Sequence, residues 1–259
     1  MPTKIFCMET VVMSSLKPTL SIITATYNAA CVLPELLASL RAQTDLDFEW
    51  VVMDAGSTDG TLSILKEVKD LRLVYRSEPD FGIYDALNKS VRLSSGDYYL
   101  VIGADDVLSP DAVANYKSWL AKSKADIVTA SIKYGTTTKK FPFSSSWLAG
   151  GMAYVTSHAV GSVYRKSLHD QHEIGFYSRF YPIAADQLFI LRAVKQGATV
   201  CVADFYAGRF GDGGISSTDI LGTLTEFFRI QMQFEWRPLQ VLLFILRLLK
   251  HSPCLIRGS

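Results

Sequence analysis

Two adjacent carboxylates, Asp105 and Asp106, stand directly after the apolar run at residues 98–102. Neighbouring carboxylates at a strand end repel each other unless a cation compensates their charge. Mg²⁺ or Mn²⁺ held by a carboxylate keeps water ligands and takes phosphate oxygens as its other ligands, which suits the neutralisation of a departing diphosphate. The pair therefore predicts a divalent-metal site. Taken alone, it is also typical of a solvated turn before a helix capped by Ser109.

A third carboxylate, Asp54, ends the apolar run at residues 50–53 and is followed by Gly-Ser-Thr-Asp-Gly. That turn leads into a helix for which Ser57 or Thr58 is the expected N-cap. A carboxylate at a strand end can accept a hydrogen bond from the imide N–H of uracil or from a ribose hydroxyl. The alternative is that Asp54 only braces its own loop.

Thr26, Tyr27 and Asn28 follow the first strongly apolar run of the chain. At a strand end, exposed backbone and an aromatic face can hold a nucleobase. These three residues are therefore candidates for the nucleoside side of a site.

The placement of these groups follows from a regular order of elements between residues 20 and 131. Short β-rich runs alternate with helical periods. The predicted strands cover residues 20–25, 48–53, 71–75, 98–102 and 127–130, and the predicted helices cover 32–40, 61–68, 83–93 and 112–120. Strands joined by helices need right-handed crossovers, so we expect an α/β fold with a mostly parallel, Rossmann-like sheet and helices on both faces. Ligands of such sheets bind beyond the carboxyl ends of the strands.

The remainder of the chain is less regular. Residues 139–214 are rich in aromatics and glycine, with one helical stretch near 186–196. We expect them to form a variable layer on the side of the site that holds the second substrate, the acceptor. The apolar run at 239–249 is too short to cross the roughly 30 Å hydrocarbon core of a membrane. On a helical wheel the polar members of this segment fall in one stripe, interrupted by Phe244, which suits an amphipathic helix in the membrane interface. A helix packed on the core or on a partner subunit is the alternative. The stripe consists of Arg237, Gln240, Arg247 and His251.

Composition excludes some classes of function. The formal net charge of +1 gives no overall positive potential that would attract a polyanion, so no nucleic-acid partner is expected. The four cysteines are far apart and lack a C-x-x-C spacing, which argues against a zinc site or a disulfide framework and favours a reducing compartment. Glu9 interrupts the apolar N-terminal stretch, which argues against a secretory signal. A cytoplasmic protein is predicted.

Four motifs together resemble the family 2 glycosyltransferases with the GT-A fold, and in particular bacterial enzymes of exopolysaccharide and colanic acid-type assembly. They are SIITATYN at residues 21–28, VVMDAGSTDGT at 51–61, DFGIYDALNK at 80–89 and SGDYYLVIGADD at 95–106. The resemblance is clear over residues 20–110 and weaker to about 217. It implies a loose extension at 1–18 and a GT-A domain at 19–217. Within that domain, 19–131 would be the nucleotide-sugar half and 132–217 the acceptor half, followed by a C-terminal helical, membrane-associating segment at 218–259.

The resemblance also implies roles for the donor side. Thr26 and Asp54 would line the nucleoside pocket together with Tyr27, Asn28 and Ser57. Asp105 would lie near the ribose and diphosphate, and Asp106 would be the metal ligand. Because the family's D-x-D stands here as Ala-Asp-Asp, it stays open which carboxylate touches the metal.

A helix after the third strand would flank the donor through Asp85, Asn88 and Lys89. The alternative is an ordinary helix N-terminal turn with an exposed lysine.

The acceptor side is implied by three further segments. Asp186 resembles the family's catalytic base, which takes the proton of the acceptor hydroxyl; the alternative is a helix N-cap. His158 matches a histidine common in relatives and would lie on the acceptor or diphosphate side, unless it is a satisfied core histidine. Gly214 and Ser216 belong to a glycine-rich stretch that would close over the diphosphate, or to a plain loop.

These inferences predict a metal-dependent hexosyltransferase. It would transfer a sugar from a nucleotide diphosphate donor, with a UDP-sugar favoured, to a hydroxyl of a glycan or lipid-linked acceptor in polysaccharide biosynthesis. Inversion at the anomeric carbon and a peripheral position on the inner face of the cell membrane are expected. The alternative is a non-catalytic nucleotide-sugar-binding scaffold of a glycan-synthesis complex. A nicotinamide dehydrogenase is excluded because the first strand is not followed by the glycine fingerprint.

Overall fold

A computed structural model describes residues 19–135, 137–139, 155, 157–211 and 219–257 of the chain. Residues 1–18, Gly214 and Ser216 lie outside the described residues, so the expectations attached to them stay predictions.

The described residues form nine strands and seven α-helices. The strands are β1 (Leu20–Thr26), β2 (Glu49–Asp54), β3 (Leu73–Ser77), β4 (Tyr98–Val101), β5 (Val107–Leu108), β6 (Ile127–Tyr134), β7 (Thr137–Lys139), β8 (Ser162–Arg165) and β9 (Val200–Phe210). The helices are α1 (Leu33–Arg41), α2 (Thr61–Glu67), α3 (Ile83–Leu93), α4 (Ala112–Ser123), α5 (Ala185–Lys195), α6 (Ile220–Phe234) and α7 (Arg237–Arg257). All nine elements predicted between residues 20 and 131 are present, with ends shifted by a few residues.

The sheet is an α/β sheet whose longest ladders are parallel. Its strand order is β3-β2-β1-β4-β8-β6-β9-β5, with β7 paired to β6. The block β3-β2-β1-β4 is parallel throughout, as expected for strands joined by helices, and β8 joins it antiparallel. The carboxyl ends of β1, β2, β3 and β4 consequently meet at one edge. The predicted fold class is confirmed.

Helices cover both faces of this sheet. One core lies between the sheet and α1, α2 and α4, and includes Trp50 and Tyr116. The other lies against α3, α5 and α6. Helix α3 shows why these segments are helical, because Tyr84, Leu87 and Val91 recur at intervals of three and four and all three are buried.

Strand β9 is the largest element that the sequence pattern did not indicate. It pairs parallel with β6 and antiparallel with β5, and its register against β6 shifts around Thr129 and Ser131. Only a minority of its residues are buried, so its apolar alternation is weak. A half-exposed strand with an irregular register gives little period-two signal.

The C-terminal segment is helical, as predicted, but its orientation differs from that of a helix with its polar stripe in water. Gln240 is buried, Arg247 donates to Gln231 on α6 at 3.0 Å, and Phe244 stacks on Phe228 at 4.5 Å between ring centroids. Gln240 and Arg247 of the polar stripe are therefore turned inward, whereas Arg237 is exposed. The opposite side of α7 exposes five aliphatic residues, here called the outward face: Val241, Leu242, Ile245, Leu246 and Leu249. Among the described residues, no helix combines the length and apolarity needed to cross a membrane.

Candidate active site

A cavity of about 450 Å³ opens at the carboxyl end of β4, between the start of α3, the start of α5 and α6. Its lining carries three carboxylates and one imidazole, from Asp105, Asp106, Asp186 and His158. These residues span 82 positions of sequence between Asp105 and Asp186. The end of β4 positions Asp105 and Asp106, and the segments before β8 and at the start of α5 add His158 and Asp186. This convergence makes the cavity the candidate active site.

The Asp106 carboxylate is fixed by backbone. Its Oδ2 accepts from Gly103 N at 2.6 Å and its Oδ1 accepts from Gly211 N at 2.7 Å. Burial raises the pKa of Asp106 to about 6, although the two backbone hydrogen bonds act in the opposite direction. The side chain is 1% exposed and the N-cap of α4 is Asp111, so the alternative of a solvated turn with a Ser109 cap is wrong.

Asp105 lies beside Asp106 against two glycines. A Cβ added at Gly103 would meet Asp105 Oδ1 and Asp106 Oδ2, each at 3.0 Å, and one added at Gly211 would meet Asp105 Oδ2 at 2.2 Å. A side chain at residue 103 or 211 would therefore collide with these carboxylates. Glycine is required at both positions because the carboxylates pack against its Cα, and not because the backbone is left-handed.

The acidic pair fits a hard divalent cation. In the described part of the chain, no cluster of three or more His, Cys, Asp or Glu side chains forms a closed metal site. Mg²⁺ and Mn²⁺ do not need one, since one or two carboxylates suffice when waters and substrate phosphates complete the coordination. Each oxygen of Asp106 accepts one N–H and keeps a second lone pair.

Asp54 is at the same edge of the sheet but does not line the cavity. Its carboxylate, 1% exposed, accepts five hydrogen bonds from within the protein. The donors are Thr26 Oγ1 at 3.0 Å, Gly56 N at 3.0 Å, Ser57 N at 2.9 Å, Ser57 Oγ, and Ser77 Oγ at 2.7 Å. In this arrangement Asp54 braces its loop, and a contact to the nucleoside stays a prediction.

Neither Ser57 nor Thr58 caps α2. The N-cap is Gly60, at φ 157°, and no side chain bonds there. Ser57 Oγ instead accepts from Asn28 N at 2.8 Å, while Asn28 Oδ1 accepts from Thr58 N at 2.9 Å. Asn28 has a left-handed backbone, with φ 48°, and the neighbouring Tyr27 is 67% exposed. The loops after β1 and β2 thus form one hydrogen-bonded ledge beside the cavity.

Asp85 and Lys89 form an ion-pair cluster on α3. Asp85 is buried and contacts Arg179 at 2.5 Å and Lys89 at 3.2 Å, and Lys89 also contacts Glu78 at 2.9 Å. Burial acts to raise the pKa of Asp85, but hydrogen bonds from Lys89 and Arg179 outweigh it and the pKa is lowered. The alternative of an ordinary exposed lysine is wrong. Neither residue lines the 450 Å³ cavity.

Asn88 does not line the cavity. Its Nδ2 donates to Tyr177 O at 2.8 Å and its Oδ1 accepts from Tyr177 N at 2.9 Å. The buried Asn88 amide thereby satisfies both the N–H and the C=O of Tyr177. Its observed contacts are structural.

Asp186 lies in the first turn of α5 but is not its N-cap, which is Ala184. The N-cap alternative is therefore wrong. Glu226 on α6 accepts from Ile183 N at 3.0 Å and from Ala184 N at 2.9 Å, and so satisfies N–H groups at the start of the helix. Asp186 is left with its carboxylate in the cavity.

Two side chains contact this carboxylate. The Tyr84 hydroxyl lies 2.8 Å from Asp186 Oδ1 and 2.9 Å from Ile183 O, so its single proton serves one of these acceptors at a time. His158 Nδ1 lies 3.9 Å from Asp186 Oδ2. Sequence reasoning missed Tyr84 and Glu226, because no local pattern indicates a contact between elements this far apart.

His158 combines its two predicted environments. Its ring is buried and Nε2 lies 2.8 Å from the Tyr177 hydroxyl, as expected of a satisfied core histidine. Burial lowers the pKa of His158, partly opposed by the Asp186 charge, so the imidazole is neutral near pH 7. Its other nitrogen lies at the cavity.

The fold is that of GT-A glycosyltransferases. The chain aligns with a Staphylococcus aureus TarS fragment (residues 1–349) solved with UDP-GlcNAc, at a TM-score of 0.69 and 21% identity over 90% of this chain and 72% of that one. It also aligns with the mannosyltransferase PcManGT of Pyrobaculum calidifontis, solved with GDP-Man and Mn²⁺, at a TM-score of 0.64 and 20% identity over 87% and 69%. It spans 43% of a longer TarS chain.

The chain belongs to glycosyl transferase family 2, whose profile matches residues 21–181. A PGL/p-HBAD biosynthesis glycosyltransferase of Mycobacterium bovis (strain BCG / Pasteur 1173P2) is 33% identical over 189 residues, 71% of this chain and 72% of that protein. An uncharacterized glycosyltransferase of Haemophilus influenzae is 25% identical over 207 residues, 73% and 63% of the two chains. The protein is a glycosyltransferase.

Proposed function

We propose that this enzyme transfers a sugar from a nucleotide diphosphate donor, a UDP-sugar by preference, to a hydroxyl of a glycan or lipid-linked acceptor in polysaccharide biosynthesis. The observation that supports this is the shared cavity, which is lined by Asp105 and Asp106 after β4 and by Asp186 from α5. The first two suit the diphosphate end of a donor and the third suits an acceptor hydroxyl. The preference for UDP draws on the nucleotide-sugar named for the TarS structure.

Asp186 is the proposed base. Its carboxylate takes the proton of the acceptor hydroxyl while that oxygen bonds to the anomeric carbon of the donor, and the bond from that carbon to the diphosphate breaks with its electron pair. A single displacement of this kind inverts the anomeric centre. Tyr84 holds Oδ1 of the carboxylate, leaving Oδ2 for the incoming hydroxyl.

Asp106, together with Asp105, is the proposed holder of Mn²⁺ or Mg²⁺. A bound ion would supply positive charge against the leaving diphosphate. Gly103 and Gly211 contribute by donating to Asp106 and by leaving room for Asp105. The ledge of Thr26, Asn28 and Ser57, with the exposed ring of Tyr27, is proposed to receive the nucleoside.

A position on the inner face of the cell membrane is also proposed. The outward face of α7 places five aliphatic side chains in solvent, and Trp236 beside it is 70% exposed. From residue 236 to 259 the sequence has no acidic residue but carries Arg237, Arg247, Lys250 and Arg257. Arg237 and Lys250 are exposed, whereas Arg247 contacts Gln231. An exposed apolar face with basic residues near both ends suits an anionic bilayer better than a second copy of the same charge. Because α6 lines the cavity through Thr223 and Phe227, docking there would bring the site to a lipid-linked acceptor.

The experiment is a donor-hydrolysis panel. Purified protein is incubated with UDP-, GDP- and dTDP-sugars, with Mn²⁺ or with EDTA, and released nucleoside diphosphate is measured. We expect release from one donor, dependent on the metal, abolished in Asp106→Ala and reduced about 10³-fold in Asp186→Asn. Asp170→Asn, an exposed carboxylate outside the cavity, is the matched control.

Either result is informative about the class of function. Metal-dependent release that both variants retain would refute the assigned roles. Nucleotide binding without release, also in the presence of membrane extract as a source of acceptor, would support the non-catalytic scaffold instead.

A further inference from the structure

A continuous hydrogen-bond chain leads from the cavity into the core. His158 Nε2 lies 2.8 Å from Tyr177 Oη, which lies 2.7 Å from Tyr99 Oη. Tyr99 Oη lies 2.7 Å from His169 Nε2, and His169 Nδ1 lies 3.0 Å from Gly175 O. All four side chains are buried. No step of the reaction described above uses this chain.

The last acceptor fixes the direction of every proton. Gly175 O can only accept, so His169 carries its proton on Nδ1 and its Nε2 must accept from Tyr99. The proton of Tyr99 is then committed, so its oxygen accepts from Tyr177. The proton of Tyr177 is committed in turn, and its oxygen accepts from Nε2 of His158. The network therefore assigns the proton of neutral His158 to Nε2.

This assignment leaves Nδ1 of His158 without a proton at the cavity. Nδ1 and Asp186 Oδ2 are 3.9 Å apart, and both are hydrogen-bond acceptors. The Tyr84 hydroxyl lies at the other carboxylate oxygen, Oδ1. The two facing acceptors consequently present a matched pair of sites for hydrogen-bond donors from a ligand.

We propose that His158 binds the acceptor hydroxyl next to the one that reacts, so that the enzyme selects an acceptor sugar with two neighbouring hydroxyls. The inference rests on the proposed transfer and deepens it. One hydroxyl supplies one proton and cannot satisfy both Asp186 and His158. Hydroxyls on adjacent ring carbons can donate to both atoms at about 2.7 to 3.0 Å each. The reacting hydroxyl faces Asp186, and its neighbour donates to His158 Nδ1.

The first test measures the tautomer directly and needs no substrate. Long-range ¹H–¹⁵N spectra of histidine-labelled protein near pH 7.5 should show the Nε2–H form of His158, identified by its loss in His158→Phe. Tyr177→Phe removes the acceptor of this proton, so we expect a shift towards Nδ1–H, which can donate to Asp186. Tyr164→Phe is the matched control: its ring centroid lies 5.4 Å from that of His158, and its buried hydroxyl has no hydrogen-bond partner among the described residues. An Nδ1–H form in the wild type would overturn the proposal.

The second test measures selectivity for the neighbouring hydroxyl. Octyl hexopyranosides and their monodeoxy forms are offered as acceptors with the donor identified in the hydrolysis panel. Removal of the neighbouring hydroxyl should lower kcat/KM at least about 10-fold in the wild type. In His158→Phe the intact and deoxy acceptors should react equally, while Tyr164→Phe should discriminate like the wild type. Discrimination that persists in His158→Phe, or is absent in the wild type, would overturn the proposal.

If no octyl glycoside reacts, water takes the acceptor's place. A water molecule can donate one hydrogen to Asp186 and the other to His158, so donor hydrolysis should fall several-fold in His158→Phe. Unchanged hydrolysis would count against the proposal. Failure of the proposed function appears separately, as absence of hydrolysis and transfer in the wild type, whatever tautomer the spectra show.

Discussion

The Tyr84 hydroxyl lies 2.8 Å from Oδ1 of Asp186, although the two residues are 102 positions apart in the sequence. Tyr84 is in the first turn of α3 and Asp186 is in the first turn of α5. Their contact therefore orients the proposed base relative to the donor. Loss of a single such hydrogen bond typically costs about 1 kcal/mol.

Tyr84→Phe should consequently lower kcat about 5- to 10-fold, because the Asp186 carboxylate loses a hydrogen bond that fixes its orientation. Donor KM should change little, since the ring and its packing remain. Steady-state kinetics with the identified donor measure both values. Tyr164→Phe, which removes a buried hydroxyl without a hydrogen-bond partner among the described residues, should leave both unchanged. Equal losses in the two variants would argue against an orienting role for Tyr84.

Asn88→Ala should destabilise the fold by about 2 to 3 kcal/mol, because the N–H and C=O of Tyr177 would lose their buried partners. The donor affinity of the folded variant should be close to that of the wild type, since Asn88 is outside the cavity. Urea unfolding and nucleotide titration separate the two effects. A large loss of donor affinity at unchanged stability would restore the donor-binding role that the motif implies.

Gly211→Ala should abolish metal-dependent hydrolysis with a smaller effect on stability, because its Cβ would meet Asp105 Oδ2 at 2.2 Å. Gly197→Ala is a control in which stability should change and activity should not. Gly197 has φ +87° and open space around its Cβ position, so alanine there should cost about 1 kcal/mol of stability and no activity. Full activity in Gly211→Ala would show that the position of Asp105 is not critical.

His169 should make stability depend on pH. Burial lowers its pKa to about 4. The unfolded histidine, with a pKa of about 6.5, binds the proton first, so the contribution to stability is complete above pH 6.5 and is lost as pH falls towards 4. Between pH 7.5 and 5 the loss from this residue is about 2 kcal/mol.

Urea unfolding of wild type and His169→Phe at both pH values isolates this contribution. Phenylalanine keeps the stacking on Phe176 and Phe189, so the variant should lose less stability on acidification. An identical loss in both proteins would mean that His169 does not titrate as assigned.

Leu246→Glu should weaken binding to vesicles that contain phosphatidylglycerol at least about 10-fold, since it places a charge in the outward face of α7. Leu46→Glu is a matched control, because Leu46 is about equally exposed and lies far from α7 in the sequence. Vesicle co-sedimentation at low and high salt measures both. A dimer that dissociates in Leu246→Glu, without vesicle binding by the wild type, would identify a second copy as the occupant of this face.

The sequence by itself determined the parallel half of the fold and the identity of the acidic groups. The elements from β1 to α4 carry local signals, because helical and strand periods report burial on one face. A parallel sheet also requires its strand ends to share an edge. This is why Asp54, Asp105 and Asp106 could be assigned to one edge from their spacing alone.

The tertiary structure alone decided what each of these side chains contacts. Asn88 and Asp85 lie on the predicted helix, yet Tyr177 and Arg179, about 90 residues later, determine their contacts. The proton on His158 is set by Gly175 through three intervening side chains, and the outward face of α7 by its packing on α6. Hydrogen-bond direction and helix rotation depend on partners distant in the sequence, and local patterns carry no record of those partners.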